Sequence, residues 1–394
     1  MKNINFKNSY YIFIILASVI LFGGLWKYYP IYGSYLFQDW TYIYDYRICL
    51  NYPDKADDSI RGLCPVILEY NFVYPDIWIK LGEIGNRTLF KYLILIFVIF
   101  YLSCCLNILK KYALFTKFFF ILSPVSILLV QRGNNDLIIF CLIYLFYITL
   151  ENYKNIYYSL LPYILGIILK IYPIVLIPIF YFKKIKINNS KLFVIILALI
   201  TLISLYLSNF WEAQENYNRA GITLAFNSAV LFKIWNYLDI VEIPHQIISI
   251  IILILLFLIS IHNKFYLPYV EKKYETSFLI GSAIIVSNFF LNEGFVYKLV
   301  FLVFIIPLVF EYQNKIHKRV FIYFIGILFL SLWAEFITFL IEIIFDTNVS
   351  KLKTTGLNLS NYIYAFGIVF KNIIYWLLNI NLIFISTNLI FRKN

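Results

Sequence analysis

Apolar runs of near-membrane length recur along the whole chain, broken only by short polar punctuation, and this pattern leaves little alternative to helices in a bilayer. The runs fall at 9–28, 92–109, 113–131, 136–150, 156–169, 171–182, 192–210, 246–263, 277–291, 297–311, 319–345 and 362–390, about twelve membrane segments. Composition agrees: 62% of residues are hydrophobic and 14% charged, with a mean hydropathy of +0.80, where soluble domains are about half apolar and a quarter charged. The expected fold class is all-α, a polytopic transmembrane helical bundle forming one integral membrane domain over 1–394.

Charge placement gives the topology. An N-terminus bearing Lys2 and Lys7 precedes an apolar stretch with no small-residue cleavage site, which reads as an uncleaved first helix starting inside. Every second connection is then basic: Lys110, Lys111 and Lys117; Lys154; Lys183, Lys184, Lys186 and Lys191; Lys264, Lys272 and Lys273; Lys315, Lys318 and Arg319; Arg392 and Lys393. Basic short loops mark the cytoplasmic side. The net charge of +12 is accordingly read as lysine facing anionic lipid and not as a nucleic-acid footprint. No glycine-rich nucleotide loop or Cys/His metal cluster is present, so neither a metal nor another cofactor is expected.

Polar islands then mark the outer side. The longest interval, 29–91, is a first extracytoplasmic loop whose stretch Gln38–Tyr46 sets Asp39 and Asp45 among aromatics. A carboxylate there has the chemistry of a general base. Apolar cores between 113 and 182 are only about 12–15 residues, roughly 20 Å as helix, which predicts short hairpins with tips below the outer surface. Their tips carry Gln131–Asp136 (QRGNND) and Leu169–Pro173 (LKIYP). Polar tips at that depth must be buried in protein or line a wet cavity. Arg132, Lys170 and Lys298 are cations suited to phosphate. Arg132 pairing simply with Asp136 across the turn is an equal alternative, as is Lys170 snorkelling to the interface. Interval 211–245 reads as an interfacial lid, and 319–390 as C-terminal helices. Cys49 and Cys64 share the first loop and are a disulfide candidate; Cys104, Cys105 and Cys141 read as inert packing. Of the histidines, His245 reads as an ordinary interfacial residue, and His262 and His317 fall on the cytoplasmic side.

In order and spacing, the first-loop acids, Tyr74-Pro75-x-Ile77-Trp78, Arg132-Gly133-Asn134-x-Asp136, Leu169-Lys170-Ile171-Tyr172-Pro173 and Tyr297-Lys298-Leu299-x-Phe301-Leu302 resemble one family. It is the GT-C class of integral-membrane glycosyltransferases, in particular the bacterial polyprenyl-phosphate-mannose-dependent α-1,2-mannosyltransferases. The resemblance covers most of 30–305; beyond it the chain matches only as apolar helices. It implies a GT-C-like fold in the bacterial inner membrane and an active site on the extracytoplasmic side. The implied donor is a polyprenyl-phosphate sugar, the acceptor a glycan or glycolipid, and the reaction an inverting hexosyl transfer. On this reading Asp39 or Asp45 is the base. Arg132, Asn134, Asp136, Lys170, Tyr172, Tyr297 and Lys298 would bind the lipid phosphate and sugar. Two other readings compete. A polysaccharide polymerase or ligase on lipid-linked oligosaccharide would place its large outer loop late in the chain, whereas here it comes first. A transporter or flippase predicts internal repeats and midplane charges, and a non-catalytic scaffold would leave the acids and cations replaceable.

Overall fold

The computed structural model describes residues 38–51, 64, 78, 87–152, 157–170, 172–182, 225–228, 230–231, 245–263, 266–291, 294–345 and 359–392. In chain order the α-helices are α1 (Gln38–Asn51), α2 (Arg87–Ile108), α3 (Leu114–Ile121), α4 (Pro124–Arg132), α5 (Asp136–Asn152) and α6 (Tyr157–Leu169). There follow α7 (Ile177–Phe182), α8 (His245–His262), α9 (Lys272–Leu291), α10 (Ile306–Glu311), α11 (Lys318–Ile344) and α12 (Leu359–Ile390). Two 3-10 helices, Tyr172–Leu176 and Val296–Phe304, lead into α7 and α10. The architecture is all-α apart from a clip of two two-residue strands, β1 (Ala225–Phe226) and β2 (Gly294–Phe295), paired antiparallel with Phe226 opposite Gly294.

Among the described residues two helical stretches are long and apolar enough to cross a membrane, Lys318–Thr338 in α11 and Tyr362–Ile390 in α12. A third span is counted if α3 and α4, bent by 49° at their junction, form one. The break has a local cause. Pro124 cannot donate a backbone hydrogen bond, and Ser123 caps the new helix, its Oγ accepting from the Ser126 N–H at 3.3 Å. The expected segments 9–28 and 192–210, most of the 211–245 lid, and Tyr74 to Ile77 lie outside the described residues.

One expectation is corrected. Segment 297–311 is not one α-helix: a nine-residue 3-10 helix runs to Phe304 and only then gives way to α10. Three residues per turn stack Lys298, Phe301 and Phe304 on one face. Phe301 and Phe304 meet the Phe140 ring of α5 at centroid distances of 5.4 and 5.3 Å. Within the interval read as the first loop, 38–51 is helical. Its Trp40 and Ile43, three residues apart and so on one face, are buried, and a disulfide from Cys49 to Cys64 pins its far end.

Close approach matters at one glycine. A Cβ on Gly281 of α9 would lie 2.9 Å from the Phe301 carbonyl oxygen and 3.0 Å from Phe304 Cβ. The 3-10 helix therefore lies in backbone contact with α9 because that position carries no side chain. The core is filled by aromatics at the meeting of these elements, including Tyr101, Phe140, Phe278, Phe289 and Phe301.

Candidate functional site

Arg132 ends α4, and the next residue, Gly133, has φ 56°, the left-handed conformation that terminates helices and favours glycine. The chain reverses there. Asn134 Oδ1 accepts from the Asp136 N–H at 3.0 Å, which starts α5 and brings the Asp136 carboxylate to that helix's positive end. The polar tip is thus a capped turn between two apolar helices, and Asn134, Asn135 and Asp136 are all buried.

Two distant stretches close on this carboxylate. Lys170, at the end of α6, brings Nζ within 2.9 Å of Asp136 Oδ1 and donates also to Asn135 Oδ1 at 3.0 Å. Tyr172, opening the first 3-10 helix, donates its hydroxyl to the same carboxylate oxygen at 3.0 Å. From the second 3-10 helix, Lys298 places Nζ 2.8 Å from each carboxylate oxygen and 3.8 Å from the centroid of the Tyr172 ring. Tyr297 completes the circle, its hydroxyl accepting from Asn134 Nδ2 at 2.9 Å. Six of the seven residues expected to bind the donor, namely Asn134, Asp136, Lys170, Tyr172, Tyr297 and Lys298, therefore belong to one network.

Arg132 lies two residues before Asn134 at the rim of this network, half-buried. Asp136 itself is held between two lysines. With Oδ1 accepting from Lys170, Lys298 and Tyr172, Asp136 is placed to hold the two lysines in position. Lys298 is enclosed, with 3% of its side chain exposed, whereas Lys170 keeps 20%. Lys170 is thus the better placed of the two lysines to meet an anion arriving from outside.

The helix bearing the first-loop acids is linked to this network through aromatic contacts. Trp40 of α1 meets Trp78 edge to face at 5.7 Å, and the Trp78 indole N–H donates to the Leu169 carbonyl at 2.9 Å. Leu169 is the residue before Lys170. The helix carrying Asp39 and Asp45 is therefore tied to the lysine stretch by two contacts. Within α1 these acids sit about a third of a turn apart on the circumference and about 9 Å apart along the axis. They are not an adjacent pair, and one binding face cannot present both. Asp45 is buried; the Asp39 side chain lies outside the described residues.

Sequence reasoning missed Asn135, whose carbonyl oxygen holds Lys170, and the part of Trp78 in anchoring Leu169. An apolar cavity lies beside the network. That space of about 630 Å³ opens between the first 3-10 helix with α7, and α8, α9 and α12. Val175, Leu253, Leu279, Val286 and Ile383 line it, with the hydroxyls of Ser282 and Thr387 among its few polar groups. Val175 is three residues beyond Tyr172, so the apolar space begins one 3-10 turn from the network. A scan against protein-family models, a search of curated proteins and a search of solved structures each returned no match.

Proposed function

We propose that the protein is a multi-pass membrane glycosyltransferase of the GT-C type. It would move a hexose, mannose-like by resemblance, from a polyprenyl-phosphate donor to a glycan or lipid acceptor on the extracytoplasmic side of a bacterial inner membrane. One observation carries this reading: three polar stretches up to 163 residues apart meet in one buried cluster that holds a carboxylate between two lysines, linked through Trp78 to the helix bearing the acids. Two further features support it. An apolar cavity suited to a hydrocarbon chain lies beside that cluster. The Cys49–Cys64 disulfide on the same side belongs to an oxidising space.

In the proposed step the acceptor hydroxyl gives its proton to a carboxylate of α1, Asp39 or Asp45, as its oxygen bonds to the anomeric carbon. The bond from that carbon to the phosphate oxygen breaks, and the polyprenyl phosphate leaves with the electron pair. Lys170 and Arg132 stabilise the charge that develops on the leaving phosphate. Asp136 and Lys298 keep Lys170 in place.

The test uses purified protein in lipid nanodiscs with polyprenyl-phosphate mannose, then other sugars, and a panel of acceptors, following release of polyprenyl phosphate. Transfer that is lost in Asp39→Asn or Asp45→Asn, with donor binding retained, supports the reading and identifies the base. Absence of donor binding and turnover in the native protein would overturn it. A transporter is the second reading, favoured by the buried Glu335–Lys371 ion pair within the two span-length helices; flux of a lipid-linked glycan without sugar transfer would establish it.

A further inference from the structure

Outside the cluster around Asp136, the described residues contain one other deeply enclosed ion pair. Lys371 of α12 donates to Glu335 Oε1 of α11 at 2.8 Å, and side-chain exposure is 1% and 6%. Tyr375, one helical turn after Lys371, donates its hydroxyl to the same oxygen at 3.2 Å. An ion pair at this depth carries a large desolvation cost, and well-packed apolar residues would join two helices at least as well. Its geometry points past the helix pair.

The Tyr375 ring, fixed by its hydrogen bond, meets Phe226 of β1 edge to face at 5.2 Å. Phe226 also packs on Phe289 of α9 at 5.1 Å, and two residues on the Ser228 N–H donates to the Phe289 carbonyl at 2.8 Å. The Phe226 backbone pairs with Gly294 of β2. β2 runs without interruption into Val296, Tyr297 and Lys298. A continuous series of contacts thus leads from the ion pair through Tyr375, Phe226 and the clip to the two residues that reach Asn134 and Asp136.

We infer that Glu335, Lys371 and Tyr375 are positioning residues for the Asp136 cluster: they hold Phe226 and the β1–β2 clip so that the 3-10 helix presents Tyr297 and Lys298 to α5. The pair fixes an aromatic ring, the ring fixes a strand, and the strand sets where the 3-10 helix begins.

The test needs no substrate. Full-length protein in nanodiscs is pulsed with an acylating reagent, and modification of each lysine is followed by peptide mass spectrometry. In the native protein Lys298 should react far more slowly than the exposed Lys110. Tyr375→Leu, which removes the ring contact and leaves the ion pair, should raise the Lys298 rate about tenfold through local opening, with Lys110 unchanged. Glu335→Gln should act in the same direction, and the exchange Glu335→Lys with Lys371→Glu should restore protection. Continued protection of Lys298 in Tyr375→Leu would overturn the inference, showing that the pair braces only its own helices. Equally damaging would be Lys298 and Lys371 modified together on the same molecules, because the pair would then hold the whole fold and not the clip.

Discussion

The arrangement around Asp136 sets how single substitutions must behave. Asp136→Ala removes the carboxylate that Lys170 and Lys298 share, and the loss expected is about 3–5 kcal/mol of stability, read from denaturation in detergent. Lys298→Met is also destabilising in the native background. In a chain already carrying Asp136→Asn its cost should fall, with a coupling of about 0.5–3 kcal/mol in a double-mutant cycle. Gly133→Ala forces a side chain into the left-handed region at φ 56°, costing about 1–2 kcal/mol in the same assay. At this scale much could be read from the chain. QRGNND and LKIYP stand out as polar groups inside apolar runs, and Gly133 marks the turn. Their pairing could not be read, because Lys298 is 162 residues from its partner and a carboxylate has no sequence signal for which cation it holds.

Helices and their breaks were legible in proportion to their periodicity. The apolar runs gave α2, α5, α6, α8, α9, α11 and α12 to within a few residues, and Pro124 explains the division of the 113–131 run. α1 was not legible. It is rich in tyrosine and other weak helix formers, and its burial rests on Trp40 and Ile43 meeting Trp78 and α2. The disulfide at its end closes a fifteen-residue interval, so Cys64→Ser should cost about 3 kcal/mol, measured as a shift in the unfolding transition under non-reducing conditions. The 3-10 form of 296–304 had no sequence cue either, since it comes from packing on Gly281 of α9 and on α5. Gly281→Ala would drive a methyl group into the Phe301 carbonyl and should destabilise by about 1–3 kcal/mol.

For the molecule as a whole, α8 carries an exposed strip of Ile247, Ile250, Ile251, Ile254, Leu255 and Leu258, continuous apolar surface of the kind a bilayer covers. The basic turns predict which side faces inward. A cysteine placed at Lys315, in an otherwise cysteine-free background apart from the Cys49–Cys64 pair, should react with a membrane-impermeant thiol reagent only from the cytoplasmic face. Reaction from outside would invert the topology and move the Asp136 cluster with it. The second 3-10 helix adds a constraint on length. Three of its residues advance about 6 Å, as do four residues of an α-helix, so the two ladders keep step where they lie side by side. Lys298, Phe301 and Phe304 can each meet α5 only while that count is kept. One residue inserted between 298 and 301 would slip the ladder like a miscut gear, separating the charged rung from the aromatic ones.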